Sequence, residues 1–162
     1  MTPREDLLAA LAPVLELVAA LDLRDAASAR AALQARFPVD GEVVGGLRAR
    51  FAAGRAAGWL CDKENAGVRF SRVQKAVTPF GPQSLSVDAV HMSGPGPGHT
   101  HDNGEVDLCF GVDGDPRFDG APAGWMVYPP GSWHVPTVST GTMDILYFLP
   151  GGAIRFGPAP TP

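Results

Sequence analysis

Two histidines and a glutamate stand close together in the sequence, just after a run of glycines and prolines. His99 and His101 are two residues apart, and Glu105 follows four residues later. Residues i and i+2 of a β-strand point to the same face, so an extended His-Thr-His segment would place both imidazoles side by side. The Asn103-Gly104 pair favours a tight turn that returns Glu105 to the two rings. Two imidazoles and a carboxylate in this arrangement are typical ligands of a transition metal.

The composition of the chain is that of an ordinary globular protein. It has 162 residues, 45% of them hydrophobic, and a formal net charge of −4, which does not favour nucleic-acid binding. The apolar stretch 7–23 is interrupted by proline and acidic residues, and the N-terminus lacks the basic start of a signal peptide. We therefore expect a cytoplasmic protein with no membrane partner. Its two cysteines, far apart in sequence, predict no disulfide framework.

The first third of the chain carries helical signals. Thr2 and Glu5 have the spacing of a capping box, and apolar residues follow at helical intervals to about residue 21, although Pro13 would kink or split this helix. Two further helices are predicted, one capped by Asp22 or Asp25 and ending near Arg36, and one capped by Asp40 and ending near Gly54 and Gly58. This helical segment contains no chemical motif, and we interpret it as a packing or dimerisation element rather than a lid.

From Trp59 onward the pattern changes to short β-like segments separated by glycine and proline. The predicted strands are 68–77, 84–92, 105–112, 125–128, 134–138 and 142–149. Several short strands with turn signals between them predict an all-β sandwich or barrel.

A second motif supplies a fourth ligand type. Pro129-Pro130-Gly131 predicts a turn shortly before His134. The two segments together resemble the HxHxxxE and PxGxxH motifs of the cupin superfamily, and by that resemblance the metal ligands are His99, His101, Glu105 and His134. The resemblance also implies a mainly β fold, a cupin-type jelly-roll β-barrel preceded by an N-terminal helical segment. The expected units are a helical extension at 1–57, the cupin barrel at 58–157 and a loose tail at 158–162.

Three imidazoles and one carboxylate leave coordination positions open for a substrate or a water molecule. The ligand set suits a divalent ion, either iron, manganese, zinc, nickel or cobalt. The family resemblance favours iron or manganese.

A substrate beside the metal needs side chains that hold it. Arg72 and Lys75 are candidates for pairing with a substrate carboxylate if they face into the barrel, and outward-facing solvated charges are the equal alternative. Trp133, Tyr128 and Tyr147 could stack on an aromatic substrate, although aromatic residues on strands more often form plain core. Asp144 could orient a ligand imidazole.

Taken together, the N-terminal helices, the RFSRVQK strand, the HTHDNGEVDL hairpin and the PPGSWH turn resemble the small family that includes 4-hydroxylaminobenzoate lyase. That resemblance implies conversion of an aryl hydroxylamine carboxylate to protocatechuate with release of ammonia. The leaving nitrogen then requires a proton donor, for which Glu105, Tyr128 and Tyr147 are candidates. The alternatives are a cupin dioxygenase of an aromatic substrate and a non-catalytic cupin that binds a small ligand. A homo-oligomer, most simply a homodimer, is expected.

Overall fold

The computed structural model of the protein describes all residues from 1 to 162 and places three helices before a set of antiparallel strands. The helices are α1 (Pro3–Ala20), α2 (Ala26–Arg36) and α3 (Glu42–Ala56). The strands are β1 (Lys63–Asn65), β2 (Val68–Gln74), β3 (Leu85–Met92), β4 (His99–His101), β5 (Glu105–Phe118), β6 (Gly124–Tyr128), β7 (Ser132–His134), β8 (Val138–Pro150) and β9 (Arg155–Phe156). The predicted fold class, mainly β after an N-terminal helical segment, is confirmed.

The helix boundaries follow from their end residues. The predicted capping box is confirmed, because Thr2 Oγ1 accepts from the Glu5 amide at 3.1 Å and Glu5 Oε2 accepts from the Thr2 amide at 2.7 Å. Pro13 does not split α1, which is continuous, because the proline lies on the exposed side of the helix where an unpaired carbonyl reaches water. Asp25 caps α2 as predicted. The predicted Asp40 cap is wrong, since α3 begins after Gly41 without a side-chain cap.

The strands form two sheets. The large sheet has six strands in the order β1-β2-β3-β8-β5-β6, and the small sheet has three in the order β7-β4-β9. The small sheet contacts the large one where the ring of His134 on β7 lies 4.4 Å from the ring of Tyr128 on β6. The two sheets therefore enclose an interior to which both contribute side chains.

Two strands are longer than predicted. The predicted segments 105–112 and 142–149 are parts of β5 and β8. Strand β5 continues through Asp113–Pro116 despite the turn-like composition of that segment, and β8 already begins at Val138. Gly114 (φ 70°) lies opposite Gly141 (φ 154°), and the register shifts on both sides of Gly114, so these residues form bulges and not an end to the ladder. The predicted strand 134–138 is wrong, because β7 ends at His134 and Pro136, which has no amide hydrogen to donate, interrupts the chain before β8 begins at Val138.

The two faces of the large sheet bury different sets of residues. The outer face packs against the helices in one cluster of 24 buried residues, in which Phe51 of α3 meets Phe110 of β5 edge to face at 6.1 Å. The inner face forms a smaller cluster of eight residues, among them Cys109 and Tyr147. Alternation along each strand assigns neighbouring residues to opposite faces. Helices and large sheet thus share one core, and the interior beneath the small sheet is separate from it.

Helix α2 lies along β6, an edge strand of the large sheet. Arg30 Nε donates to the carbonyl oxygen of Trp125 at 2.7 Å, and Trp125 Nε1 donates to the carbonyl oxygen of Phe37 at 2.8 Å. None of the three helices is long and apolar enough to cross a membrane.

Candidate metal centre

Four side chains from three strands converge inside the barrel. His99 and His101 extend from β4, His134 from the paired strand β7 opposite His99, and Glu105 is the first residue of β5. Their ligand atoms all lie within 4.8 Å of one another. His99, His101 and Glu105 are buried, and His134 is 12% exposed. The sequence therefore placed these four residues in one group correctly, and the group could hold a metal ion.

The Glu105 carboxylate is at the middle of the group. Its Oε2 lies 2.5 Å from His101 Nε2, 3.6 Å from His99 Nε2 and 3.7 Å from His134 Nε2. The 2.5 Å contact does not have the geometry of a hydrogen bond, and both oxygens of Glu105 and His101 Nε2 have no hydrogen-bond partner. Buried polar atoms without partners are costly unless something else satisfies them.

The other nitrogen of each ring is engaged away from the centre. His99 Nδ1 is 3.1 Å from the carbonyl oxygen of Pro97, and His134 Nδ1 is 2.6 Å from Asp119 Oδ2. His101 Nδ1 is 3.0 Å from Ser132 Oγ, whose own proton goes to the carbonyl oxygen of Pro129 at 2.6 Å. Each Nδ1 therefore donates a hydrogen bond. When such a ring is neutral, its Nε2 carries an available lone pair.

Three lone pairs and a carboxylate directed at one point fit a divalent cation. His99 Nε2 and His134 Nε2 lie only 3.0 Å apart, and without a proton between them they repel each other unless a cation lies nearby. Hydrogen bonds that fix the tautomer of a ligand histidine are a regular feature of metal sites. The donor set of three imidazoles and one carboxylate suits a first-row transition metal.

Carboxylates around the centre have shifted pKa values. Burial raises the pKa of Glu105, but its contacts with His101 and His99 outweigh burial and the pKa is lowered overall. Burial, and then the charge of Glu105, raise the pKa of Asp107 well above its usual value, and this residue is fully buried without a hydrogen-bond partner. For Asp119, burial is outweighed by hydrogen bonds from His134 and Tyr128, which lower its pKa.

Sequence reasoning missed Asp107 and Asp119. Asp107 alternates with Glu105 and therefore faces the same interior, which was the available signal. Asp119 gave none, because Phe118-Asp119-Gly120 has the composition of an ordinary turn and its partner His134 is distant in sequence. Its φ of 48° turns the carboxylate toward His134, Tyr128 and the amide of Thr137.

A cavity of about 550 Å³ opens beside the centre. His99 and Tyr147, both buried, lie at its floor, and the more exposed Lys63 and Arg72 lie at its mouth. Its walls are mostly apolar and include Val68, Phe70, Val90, Met92, Ile154 and Phe156. The cavity is thus apolar along its length and cationic at its mouth.

The predicted substrate-binding residues lie in different places. Arg72 lines the cavity, where its guanidinium pairs with Asp88. Lys75 follows the last residue of β2, is exposed and does not line the cavity. Trp133 is half-buried outside the cavity, and its Nε1 donates to the carbonyl oxygen of Gly157 at 2.9 Å.

The two candidate tyrosines differ in their hydroxyl partners. Tyr147 lines the cavity, and its hydroxyl has only the sulfur of Met92 as acceptor, at 3.7 Å. The Tyr128 hydroxyl donates to Asp119 at 2.6 Å, and its ring packs on His134.

Asp144 lies on the opposite, outer face of the large sheet. Its Oδ1 accepts from Arg55 Nε at 3.0 Å and is 2.7 Å from His91 Nδ1. The expectation that Asp144 orients a ligand imidazole is wrong, because the residue faces the helices and Asp119 contacts His134 instead.

Comparison with known proteins gives both a family match and distant structural likenesses. A family model described as 4-hydroxylaminobenzoate lyase matches residues 10–156. A 4-hydroxylaminobenzoate lyase from Pseudomonas putida is 28% identical over 119 residues, covering 64% of this chain and 68% of that protein.

Among solved structures, an RmlC-like cupin protein from Ralstonia eutropha JMP134 has a TM-score of 0.40 at 13% identity, covering 57% of this chain and 60% of that one. A salicylate 1,2-dioxygenase from Pseudaminobacter salicylatoxidans has a TM-score of 0.41 at 12% identity, covering 67% of this chain and 35% of that one. These structural likenesses are too distant to support a function, whereas the family model spans most of the chain.

Proposed function

The chain belongs to the 4-hydroxylaminobenzoate lyase family of cupins, and we propose that it converts 4-hydroxylaminobenzoate and water to protocatechuate and ammonia. One observation carries the proposal beyond family membership. A buried centre of three imidazoles and one carboxylate adjoins, through His99, the floor of an apolar cavity that has cations at its mouth. Such a cavity suits a flat aromatic ring with a carboxylate at one end and a polar reacting group at the other.

The proposed reaction needs no external oxidant. The N–O bond of the hydroxylamine breaks, and nitrogen leaves as ammonia after gaining two electrons. One ring carbon exchanges hydrogen for hydroxyl and loses the same two electrons, while the carbon that bore nitrogen acquires a second hydroxyl. One water molecule supplies the additional oxygen, so atoms and electrons balance without O₂.

We propose that His99, His101, Glu105 and His134 hold one divalent ion, iron or manganese in preference to zinc, nickel or cobalt. The donor set supports a first-row ion, since imidazoles suit several of these metals and a carboxylate adds affinity for the harder ones. A bound ion would supply Lewis acidity toward a substrate oxygen or a water molecule.

Among the remaining groups, Tyr147 is the proposed donor to the hydroxylamine. Burial raises the pKa of Tyr147 well above its usual value, so the hydroxyl keeps its proton, and its weak sulfur acceptor leaves it free to donate to a substrate. Tyr128 donates to Asp119, and we propose that it acts through Asp119 and His134 in fixing the ring orientation. Glu105 contributes the charge that balances the cation.

At the mouth of the cavity, Arg72 is the proposed anchor for the substrate carboxylate. Its planar guanidinium can make paired hydrogen bonds to a carboxylate, and it already lies on the cavity wall. The apolar side chains between Arg72 and Tyr147 would exclude water from the ring.

The test is an assay of the as-isolated protein with 4-hydroxylaminobenzoate, run with and without O₂. We expect one ammonia and one protocatechuate per substrate under both conditions, with no oxygen consumed. Turnover that requires O₂ would contradict the lyase and favour a dioxygenase. A ligand-induced rise in melting temperature without product would instead indicate a protein that binds the ligand and does not convert it. The Glu105→Gln variant, which keeps the shape of the side chain, is the control for activity from contaminants.

A further inference from the structure

Strand β1 brings a second cation to the cavity. Lys63 on β1 is in register with Phe70 on β2, and both line the cavity together with Arg72, two residues further along β2. Asp88 on β3 is in register with Arg72 and lies on the same wall. The mouth is therefore formed by side chains from three neighbouring strands that project from one face of the sheet.

The charges at this mouth do not cancel. Lys63 and Arg72 are positive, and Asp88 is the one acidic residue that lines the cavity. Arg72 uses Nε and one terminal nitrogen toward Asp88, which leaves its other terminal nitrogen without a partner. Lys63 Nζ is 3.4 Å from Asp62, an exposed residue outside the cavity lining. Among the residues that line the cavity, one positive charge therefore remains in excess, which matches a single carboxylate.

The spacing of the strands sets the length of the ligand. Arg72 is in register with Asp88, Asp88 with Tyr147, and Tyr147 with Asp107 on the strand that carries Glu105. Three strand spacings separate β2 from β5, which is at most roughly 14 Å between their backbones. Arg72 at the mouth and His99 at the floor thus lie at opposite ends of the cavity, a separation that a para-substituted benzene ring can span.

We infer that Lys63 and Arg72 form a two-cation clamp for one carboxylate, and that this clamp selects benzene monocarboxylates whose reacting group is para to the carboxylate. The inference rests on the proposed function for the identity of the reaction, but not for the binding chemistry. Lys63 is then a specificity-determining residue, and Asp88 holds the Arg72 guanidinium in place.

Equilibrium binding measurements test the two-cation clamp independently of catalysis. Calorimetric titration of the as-isolated protein uses 4-hydroxybenzoate, which has the carboxylate, and phenol, which lacks it. We expect Lys63→Met to lower the affinity for 4-hydroxybenzoate about fivefold. Arg72→Met should lower the same affinity about 10- to 100-fold. Neither substitution should change the affinity for phenol. The matched control is Lys75→Met, an exposed lysine outside the cavity, which should leave both affinities unchanged.

Two further arms complete the experiment. Lys63→Arg should restore the affinity for 4-hydroxybenzoate, and 2-hydroxybenzoate and 3-hydroxybenzoate should bind the unmodified protein more weakly than the para isomer. Three results would each overturn the clamp. They are the same change in 4-hydroxybenzoate affinity for Lys63→Met and Lys75→Met, a loss of phenol affinity as large as the loss of 4-hydroxybenzoate affinity, and no binding of 4-hydroxybenzoate to the unmodified protein.

Failure of the clamp and failure of the proposed reaction are distinguishable. Charge-dependent binding of 4-hydroxybenzoate without turnover of 4-hydroxylaminobenzoate would retain the clamp and reject the reaction. Turnover that is insensitive to Lys63→Met, with no change in binding, would retain the reaction and reject the clamp. The lysine is exposed, so its replacement leaves the fold intact, which circular dichroism verifies.

Discussion

A cluster of histidine and carboxylate side chains lies against each face of the large sheet, and the clusters differ in how their polar atoms are satisfied. On the outer face, Asp144 is paired with both His91 and Arg55. On the inner face, Glu105 lies among three imidazoles with neither oxygen hydrogen-bonded. Both clusters contain a buried carboxylate, so burial alone does not separate them.

What separates the clusters is the presence of a compensating cation within the protein. The Arg55 guanidinium balances Asp144 and joins α3 to the sheet, so the outer cluster is complete as it stands. Around Glu105 there is no arginine or lysine, and the neighbours are three imidazole rings whose Nδ1 atoms are already engaged elsewhere. A histidine–carboxylate contact is therefore a poor guide to function, whereas convergent atoms without partners are a good one.

The largest expected effect is on metal content. His101→Ala removes a buried ligand from the inner cluster, and we expect the purified variant to retain almost no metal where the unmodified protein retains about one equivalent. His91→Ala is the matched control on the outer face and should retain the full equivalent. Elemental analysis measures both, and equal retention by the two variants would reject the assignment of the inner cluster.

A smaller effect distinguishes the carboxylates that contact a histidine. Asp119→Asn should weaken metal binding about 10- to 100-fold, because it loosens the orientation of His134. Asp144→Asn should leave metal affinity unchanged and instead lower the free energy of unfolding by about 2 kcal/mol, since it removes the charge that pairs with the partly exposed Arg55. Competition with a chromophoric chelator and urea unfolding measure the two quantities. If Asp144→Asn weakened metal binding and Asp119→Asn only lowered the free energy of unfolding, the roles assigned to the two carboxylates would be wrong.

The smallest effect concerns the thiol beside the outer cluster. Burial, and then the charge of Asp144, raise the pKa of Cys61 from 9.0 to about 12. Between these values the unfolded chain loses the thiol proton and the folded chain keeps it, so stability is full below pH 9 and falls as the pH rises toward 12. By pH 10 the loss is about 1.4 kcal/mol.

Replacing the thiol isolates its contribution. In Cys61→Ala, the decrease in unfolding free energy between pH 8 and pH 10 should be smaller by that amount than in the unmodified protein. Cys109, on the inner face, also has a raised pKa and remains in both proteins, so its contribution cancels. Parallel pH profiles would show that Cys61 does not contribute in this way.

Local signals predicted the parts of the structure that depend on nearby residues. The capping box at Thr2 and the turn before Glu105 each involve contacts within a few positions, and both occur as predicted, with the Gly104 amide donating to the carbonyl oxygen of His101 at 3.2 Å. The predicted hairpin is wrong, because β4 and β5 on either side of this turn belong to different sheets and do not pair with each other. His134 was found from its own motif and the turn before it. In each case the geometry is fixed by backbone conformation over a short segment.

Contacts between distant segments were beyond the reach of such signals. Asp119 meets His134 only because the small sheet folds over the large one, and Lys63 reaches the cavity only because a three-residue strand adds to the edge beside β2. The continuation of β5 and β8 past Gly114 depends on a glycine opposite it in the partner strand. None of these partners can be identified from the composition of either segment alone.

The position of α2 has a consequence for self-association. An edge strand offers unpaired backbone groups to which the strand of another molecule can add, and this is a common route to aggregation. On β6 the outward carbonyl oxygen of Trp125 is already occupied by Arg30. At the opposite edge, β1 is three residues long and begins with Lys63. An incoming chain would have to displace a helix at one edge or pair with a very short charged strand at the other, so both ends of the sheet resist intermolecular strand addition.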